Sequence, residues 1–245
     1  RVTQAFNVMA GRLAAVMEQT VRTENLAVLG TFATGVAHEV RNPLATMKTT
    51  VQALLRREPE SERRQLLSDL GQEIDRLSHV TSDLLEYGRP HPANPQIVAL
   101  HDLFERTRRL IAPEAEAKAI RFEAGCAAGI QLFVDPDQAQ QILLNLCLNA
   151  IEASARDQRV SLAGHSRDGR VLVSVSDQGC GIPEDALKRV RQPFFTLKAR
   201  GTGLGLSICQ QLLEANASRM EIASTAGKGT VVTLDFPAPC PTDLK

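Results

Sequence analysis

The apolar residues in the first third of the chain recur at intervals of seven. One series consists of Leu26, Ala33, Val40, Met47 and Leu54, and the other position of the apolar face is filled by Leu29 and Val36, then by Leu44 and Val51. Apolar positions repeated in this way form a stripe along one side of a helix, as in coiled coils. The pattern therefore predicts a long helix with one apolar face.

A second heptad pattern follows the turn-forming segment 57–61. Its helix is expected to begin near Ser61 and to end at Gly88, a residue type that favours helix ends. The repeated positions hold Leu67, Ile74 and Thr81 in one series and Leu70, Leu77 and Leu84 in the other. The two helices are predicted to form an antiparallel hairpin. Because a hairpin buries only one stripe of each helix, we expect a homodimeric four-helix bundle, the alternative being a bundle completed by other elements of the chain.

Upstream of the hairpin, the heptad phase changes by one residue. An earlier heptad series runs through Phe6 and Leu13, and if continued it arrives at Ala27 instead of Leu26. Such a slip near Thr23 alters the local winding of a coiled coil. We therefore expect rotation or strain from residues 1–23 to enter the hairpin, residues 24–88, at this point.

A proline-rich linker is predicted at residues 89–95, because its three prolines cannot continue a helix. Beyond it, short β-rich runs alternate with helical patterns, which predicts an α/β sandwich over residues 96–237. Residues 238–245 are expected to form a disordered tail. The expected strands are 120–123, 130–134, 160–165, 171–177, 219–224 and 230–236, and the expected helices are 101–117, 136–154 and 204–215.

The composition is that of an ordinary globular protein. The 245 residues include 28 Lys+Arg against 28 Asp+Glu, which disfavours disorder and a basic surface that coats nucleic acid. Five cysteines without a C-x-x-C pair suggest neither a disulfide framework nor a zinc site, and favour a reducing, cytosolic compartment. The chain has no apolar stretch long enough to span a bilayer and no signal-peptide pattern. Because it begins at Arg1, we interpret it as a fragment, and a membrane anchor is expected only upstream.

One candidate reactive group lies on the first helix. His38 falls at a heptad position that faces away from the bundle, with Glu39 beside it and Asn42 one turn further. An exposed imidazole can attack phosphorus when a neighbouring carboxylate accepts its proton. The alternative is a solvated surface histidine beside a glutamate. Pro43 removes a helical N–H donor, so the helix is either bent and mobile near His38 or merely carries a tolerated kink.

Candidate nucleotide-binding residues lie in the α/β region. Asn145 and Asn149 are four residues apart on one helix, and two neutral oxygen ligands suit a hydrated Mg²⁺ that also binds phosphate. The alternative is a pair of ordinary surface asparagines. Asp177 ends a strand before Gly179 and Gly181, where a carboxylate can accept a hydrogen bond from an amino group and glycines let the backbone approach a flat ring.

Two further glycine motifs follow. Gly201, Gly203 and Gly205 lead into a helix whose free N–H groups can hold phosphates. The turn from Gly227 to Thr230 precedes the last strand. Each motif alone is weak evidence, but their order and spacing together are specific.

These motifs resemble those of the sensor histidine kinases of bacterial two-component systems, over residues 24 to 236. His38, Glu39 and Asn42 are similar to the H box, and Phe194-Phe195 is similar to the F box. The N, G1 and G2 boxes and a final glycine motif correspond to residues 145–149, 177–181, 201–205 and 227–230. The resemblance implies a dimerization and phosphotransfer hairpin followed by a Bergerat-type ATP-binding domain.

The resemblance also implies roles for individual residues. His38 is the expected phosphoacceptor, Glu39 the general base, and Asn42 the residue that positions water when the phosphorylated partner is hydrolysed. Asn145 is expected to bind Mg²⁺ and Asn149 to support the metal or a phosphate. The segment 196–200 resembles the short ATP lid of nitrogen-regulator-like kinases. The other implied nucleotide-binding residues are Asp177 for the adenine amino group, Lys198 for a phosphate, and Gly179, Gly181, Phe195, Gly201, Gly203, Gly205 and Thr230.

Residues 5–10 are similar to the end of a HAMP domain, so the resemblance implies the cytoplasmic portion of a bacterial inner-membrane receptor. Its expected partners are a second copy, through residues 24–88, and the receiver domain of a response regulator, with no nucleic acid. Three positions depart from the family pattern. Arg191 stands where an aromatic residue is usual, Leu197 where a threonine is usual, and Ala217-Ser218 where a glycine pair is frequent.

The resulting hypothesis is an ATP-dependent protein-histidine kinase. It autophosphorylates His38 from Mg-ATP, passes the phosphoryl group to an aspartate of a response regulator, and also dephosphorylates that partner. The bend at Pro43 and the phase slip near Thr23 are the expected compliant points of its signalling. The alternatives are a phosphatase-dominant member of the family and a nucleotide-gated dimeric scaffold without phosphotransfer.

Overall fold

The computed structural model describes residues 40, 44–56, 61–88, 92–198 and 201–239. The chain divides into two compact units, Arg1–Pro90 and His91–Lys245. Among the helices of the described residues, none combines the length and apolar character needed to cross a bilayer. Several sequence predictions lie outside the described residues: those on His38, Glu39, Asn42 and Pro43, the heptad positions before residue 40, the turn at 57–60, and the last residues of the tail.

The first unit contains two helices that pack on each other. These are α1, the helical residues 44–55, and α2, Ser61–Gly88. Lys48 Nζ donates to Asp75 Oδ1 at 2.5 Å, and a Cβ atom at Gly71 would lie 3.8 Å from Val51 Cγ1. The residue number rises from 48 to 51 on α1 while that of the contacting residue falls from 75 to 71 on α2, so the two helices are antiparallel. The predicted packing of the two helices is confirmed.

The heptad positions divide between the inside and the outside of this hairpin. Leu44 on α1 and Ile74 on α2 are buried, whereas other heptad positions are exposed. The exposed apolar members are Met47, Leu54, Leu70 and Leu77. A pair of helices can bury only the stripe that faces its neighbour, so a second apolar stripe remains on the surface of one hairpin.

The second unit is an α/β sandwich, which confirms the predicted fold class. Its five-stranded sheet has the order β2-β4-β5-β7-β6, with β2 and β4 parallel and the other neighbours antiparallel. The elements are β1 (Gln96–Ala99), α3 (Leu100–Ala117), β2 (Arg121–Cys126), β3 (Gln131–Val134), α4 (Pro136–Ala153), β4 (Arg159–Arg167), β5 (Arg170–Asp177), α5 (Glu184–Leu187), α6 (Gly205–Ala215), β6 (Arg219–Thr225) and β7 (Gly229–Pro237).

The structure adds two elements that the sequence patterns did not predict. The strand β1 pairs antiparallel with β3 in a separate two-stranded sheet, so β3 does not belong to the main sheet. With only four residues after a run of prolines, β1 is too short to show a period, and its pairing with β3 supplies the hydrogen bonds that define it. The helix α5 is a single turn, which also leaves no periodic signal.

The core lies between the main sheet and the helices. Alternate residues of β5 are buried, so one face of this central strand points into the core. On α4, Ile142, Leu146 and Ile151 are buried, whereas Asn145 and Asn149 are half-buried on another side. The buried apolar side chains pack α4 against the sheet, and the two carboxamides on the other side stay accessible.

The start of α4 is fixed by Asp135. Its Oδ1 accepts the backbone N–H groups of Asp137 and Gln138 at 3.0 and 3.1 Å, which caps the helix, and its Oδ2 accepts Asn94 N–H at 2.9 Å. Burial by itself raises the pKa of Asp135, but the three N–H donors outweigh burial and hold this pKa below its ordinary value. The ionised carboxylate therefore stabilises the fold.

We expect Asp135→Ala to destabilise this domain by about 1–2 kcal/mol at pH 7, because the substitution removes a helix cap and the anchor of Asn94. A carboxyl group with a lowered pKa stabilises the fold above its ordinary pKa and loses this effect as the pH falls through the folded-state value. The difference between variant and parent should therefore shrink below about pH 4. Hydrogen exchange of the α4 amides in increasing urea measures this difference in the free energy of unfolding.

Asp137→Ala is the matched control, because its side chain is 92% exposed and its ion pair with Arg106 is long, at 3.9 Å. It should cost less than about 0.5 kcal/mol. An equal loss of stability in the two variants would show that any negative charge at the start of the helix, and not the hydrogen bonds of Asp135, stabilises α4.

Candidate nucleotide-binding site

Asp177 lies at the end of β5 and is 9% exposed. Its Oδ1 accepts the backbone N–H groups of Gly179 at 2.8 Å and Thr230 at 3.3 Å. Within the described part of the chain, Oδ2 has no hydrogen-bond partner. Burial raises the pKa of Asp177 above its ordinary value, although the two N–H donors oppose this effect. One carboxylate oxygen is therefore held in place and the other can accept a hydrogen bond from a ligand.

The glycines near Asp177 are required by contacts within the protein. A Cβ atom at Gly229, whose φ is +104°, would lie 2.1 Å from Asp177 O, and one at Gly179 would lie 2.3 Å from Ala153 O. The sequence analysis attributed the glycines after Asp177 to the approach of a flat ring. In the structure, Gly179 and Gly181 approach the backbone at the end of α4 and at Thr225. These contacts fix the loop after Asp177 between α4 and β6.

Ser224, near the end of β6, joins the same loop to the start of β7. Its hydroxyl accepts Ile182 N–H at 2.8 Å, donates to Gly229 O at 3.0 Å, and lies 2.9 Å from Thr230 Oγ1. Sequence reasoning missed this residue, because a serine at a strand end has no distinctive spacing. It supports the turn whose Thr230 N–H group holds Asp177.

On α4, a continuous series of hydrogen bonds crosses the candidate site. Asn145 Nδ2 donates to Gly205 O at 3.0 Å, Asn149 Nδ2 donates to Asn145 Oδ1 at 3.2 Å, and Lys198 Nζ donates to Asn149 Oδ1 at 2.6 Å. Lys198 Nζ also contacts the carboxylate of Glu152. The structure thus brings together four of the predicted site residues, Asn145, Asn149, Lys198 and Gly205, and adds Glu152.

The start of α6 offers free backbone donors. The residue before it, Leu204, makes no side-chain capping hydrogen bond, and the first turn carries no acidic residue. The preceding loop is closely packed, since a Cβ atom at Gly203, with φ of +69°, would lie 2.5 Å from the carbonyl carbon of Phe194. Gly201 N–H donates to Lys198 O at 3.3 Å. An uncapped helix start of this kind binds anions such as phosphate.

The F-box phenylalanine is supported by a cation. The guanidinium carbon of Arg189 lies 4.5 Å from the centre of the Phe195 ring, within the range of a cation–π interaction. Arg189 was not predicted as a site residue, because cation–π partners have no fixed spacing in sequence. Arg191 and Leu197, the two departures from the family pattern next to this segment, are both exposed.

These groups have the chemistry and the order that an adenine nucleotide requires. The loop after Asp177 contacts Ala153 at the end of α4, whereas Gly205 contacts Asn145, eight residues earlier. At 1.5 Å per residue this is roughly 12 Å along the helix. A buried acceptor beside the end of α4 and an anion-binding helix start at Asn145 fit a base and its phosphates. Lys198, which contacts Asn149 and Glu152, lies between them along the helix. The two carboxamide oxygens of α4 fit a magnesium ion that also binds phosphate oxygens.

Two protein families match this chain. Residues 28–92 match "His Kinase A (phospho-acceptor) domain", and residues 134–239 match "Histidine kinase-, DNA gyrase B-, and HSP90-like ATPase". The second match covers α4 and the strands and loops that carry Asp177, Lys198 and Thr230.

Curated relatives match most of the chain. The sensor histidine kinase ZraS of Klebsiella oxytoca is 38% identical over 223 residues, which are 90% of this chain and 48% of the relative. Sporulation kinase C of Bacillus subtilis is 30% identical over 217 residues, 88% of this chain and 50% of the relative. The chain thus spans about half the length of the curated relatives it matches.

Solved structures of kinases are also similar. Full-length ShkA in complex with AMPPNP aligns with a TM-score of 0.72 and 25% identity, over 86% of this chain and 46% of that one. The histidine kinase ThkA in complex with the response regulator TrrA aligns with a TM-score of 0.65 and 25% identity, over 93% and 67%. A helical phosphoacceptor hairpin joined to an ATPase-type α/β sandwich defines a class of signalling kinases. The chain belongs to the sensor histidine kinases of bacterial two-component systems.

Proposed function

We propose that this chain is the phosphotransfer and ATP-binding portion of a sensor kinase, which autophosphorylates His38 from Mg-ATP and passes the phosphoryl group to an aspartate of a response regulator. The observation that carries the proposal is the buried Asp177 with its one free oxygen, because the loop after it packs on Ala153 at the end of α4 while an anion-binding helix start contacts α4 at Asn145, eight residues earlier. The relatives' description as sensor histidine kinases supports it.

The adenine ring is held by Asp177. Its Oδ2 accepts a hydrogen bond from the exocyclic amino group, while Oδ1 stays bonded to the N–H groups of Gly179 and Thr230. Because Oδ1 is held by the backbone, the carboxylate needs no reorganisation when the base enters. The specificity for adenine over guanine follows from this acceptor, since guanine has a carbonyl oxygen at the corresponding position.

The phosphates are held at the start of α6, with Lys198 as a mobile cation. Asn145 Oδ1 and Asn149 Oδ1 would hold Mg²⁺ if their present donors, Asn149 Nδ2 and Lys198 Nζ, turned away. The metal would neutralise charge on the phosphate oxygens. The remaining predicted residues, Gly179, Gly181, Phe195, Gly201, Gly203 and Gly205, shape the walls and the lid.

The proposed phosphotransfer residues precede α1 in the chain, and their proposed roles follow from the family. His38 attacks the terminal phosphorus, Glu39 accepts the imidazole proton, and Asn42 positions the water that hydrolyses the phosphorylated regulator. The receiver domain docks on the hairpin. The complex of ThkA with the response regulator TrrA supports this partner class.

The hairpin forms a homodimer through its exposed apolar stripe. This stripe contains Leu54 on α1 and Leu70 on α2, which are 50% and 54% exposed. Such residues recur at heptad positions, as in a four-helix bundle with two helices from each chain. The alternative bundle, completed by other elements of one chain, remains the competing explanation that the next experiment tests.

We expect Leu70→Glu to convert the protein from dimer to monomer at micromolar concentration, because the substitution places a charge in an apolar interface. Gln72→Glu is the matched control, because it adds the same charge at an exposed position of the same helix outside the apolar heptad positions, and it should leave the dimer intact. Sedimentation or light scattering of the whole chain measures the change. A parent chain that is monomeric at every concentration would contradict the proposed homodimer.

Upstream, residues 1–23 are proposed to be the end of a HAMP-like signalling helix that connects the kinase to a membrane receptor. The curated relatives are about twice as long as this chain, which leaves room for a sensory portion in proteins of this type. Under this proposal the described domains work on the cytoplasmic side of the inner membrane.

Incubation of the chain with Mg²⁺ and γ-labelled ATP tests the proposed activity. Label that is stable in alkali and lost in acid, and that moves to a purified receiver domain, is the expected result. Label that fails to appear although the chain binds ATP would overturn the kinase proposal in favour of the scaffold or phosphatase-dominant alternatives.

A further inference from the structure

The ammonium group of Lys198 has two hydrogen-bond partners within the protein. It donates to Asn149 Oδ1 at 2.6 Å and also contacts the carboxylate of Glu152, both on α4. The side chains of Lys198 and Glu152 are 43% and 52% exposed. This lysine is the one proposed to bind a phosphate, so the Glu152 carboxylate and a phosphate are two anionic partners of the same ammonium.

Glu152 follows Asn149 by three residues and Asn145 by seven, so all three lie on one side of α4. The carboxamides of Asn145 and Asn149 are hydrogen-bonded to each other, and Asn149 is hydrogen-bonded to Lys198. A carboxylate at the end of this series gives the lysine an anionic partner inside the protein. An entering phosphate is a second anionic partner for the same ammonium.

We propose that Glu152 is a positioning residue that competes with the nucleotide's phosphates for Lys198 and thereby lowers the affinity of the site for phosphorylated adenine nucleotides. This inference rests on the proposed nucleotide-binding function. The Glu152 contact holds the lid lysine on α4. When a nucleotide enters, Lys198 exchanges one anion for another, so the gain from its phosphate contact is only the difference between the two contacts.

The expected size of the effect follows from the exposure of the pair. Ion pairs between half-exposed side chains contribute little, so Glu152→Gln should tighten binding by roughly two- to five-fold. The same substitution should have no such effect when Lys198 is absent, because then no ion pair has to break. This dependence separates competition for Lys198 from simple repulsion between the Glu152 carboxylate and the phosphates.

The experiment measures the dissociation constant of AMPPNP with Mg²⁺ for the whole chain. The variants are Glu152→Gln, Lys198→Met and the double substitution. Glu123→Gln is the matched control, because Glu123 pairs with Arg159 on β2 and β4, and its substitution removes the same charge away from Lys198. We expect tighter binding only for Glu152→Gln, weaker binding for Lys198→Met, and little further change in the double variant.

Three results would overturn the proposal. Unchanged affinity in Glu152→Gln would mean that the ion pair does not oppose binding. Equal tightening with and without Lys198 would assign the effect to direct repulsion. Weaker binding in Glu152→Gln would make Glu152 a support for the ligand or its metal.

A second measurement needs no nucleotide. The rate at which acetic anhydride modifies Lys198, followed by mass spectrometry, should rise roughly two-fold in Glu152→Gln, because one hydrogen-bond partner of the ammonium is lost. Lys188, which is exposed on the surface, is the internal control. An unchanged rate at Lys198 would overturn the proposed contact. If the parent chain does not bind AMPPNP, the nucleotide-binding function itself fails, and the labelling still decides whether Glu152 holds Lys198.

Discussion

His38→Gln should reduce the incorporation of label from γ-labelled ATP to background, a loss of roughly 10³-fold or more. Glutamine preserves polarity and approximate length but has no nucleophilic nitrogen. The heptad pattern places residue 38 on the side facing away from the bundle, so the substitution should not disturb packing. ATP affinity should stay unchanged, because the proposed nucleotide-binding residues all lie in the second unit.

His79→Gln is the matched control for this prediction. His79 is an exposed histidine on α2, so its replacement removes the same chemical group from the same hairpin. Phosphorylation of this variant should equal that of the parent chain. Acid-labile label that persists in His38→Gln, or that disappears in His79→Gln, would assign the phosphoacceptor role to a residue other than His38.

Asp177→Asn should weaken ATP binding by about 100-fold, since a charge-assisted hydrogen bond is lost and an unfavourable contact is created. Asparagine can keep the N–H groups of Gly179 and Thr230 bonded to its Oδ1. Its Nδ2 then faces the adenine amino group, so two donors meet. Calorimetric titration with ATP and with GTP measures the effect.

Comparison of the affinities for ATP and GTP shows whether Asp177 contacts the base. Guanine presents a carbonyl oxygen where adenine presents its amino group, so the Nδ2 of asparagine offers it a donor. The preference of the parent chain for ATP over GTP should therefore shrink or reverse in the variant. An equal loss of affinity for both nucleotides would mean that Asp177 supports the loop and does not contact the base.

The stability of Asp177→Asn should not fall with its affinity. Burial raises the pKa of Asp177, so its ionised form is less favourable in the folded protein than in the unfolded chain. This cost is present above the ordinary carboxyl pKa and disappears as the pH falls through the folded and then the unfolded value. The variant removes the cost at pH 7. Markedly earlier unfolding of the variant at pH 7 would contradict this reasoning.

The fold was predictable from sequence where an element repeats its pattern several times. The bounds of α2, Ser61–Gly88, coincide with the residues that the heptads and the terminal glycine indicated. The short elements β1 and α5 were missed, because four residues cannot establish a period. The strand β2 extends to Cys126 because β4 pairs with it along its whole length, which is a tertiary contact.

The residues of the candidate site also divide into those that local spacing predicted and those that it did not. Asn145 and Asn149 were predicted to share one side of α4, because four residues make about one helical turn. Glu152 lies one turn further, yet nothing in the spacing indicated that it contacts Lys198, 46 residues later. Ser224 and Arg189 were missed for the same reason, since their roles depend on partners that the chain brings close only when folded.

The fold class, the family and the candidate site residues could be predicted from the amino-acid sequence, because these depend on periodicity and on motifs that are local in the chain. The free oxygen of Asp177, the exposed heptad positions and the anion that contacts Lys198 became known only from contacts in the folded protein. Each of these depends on competition between partners distant in sequence, where burial and hydrogen bonding select one partner among several that the local chain permits.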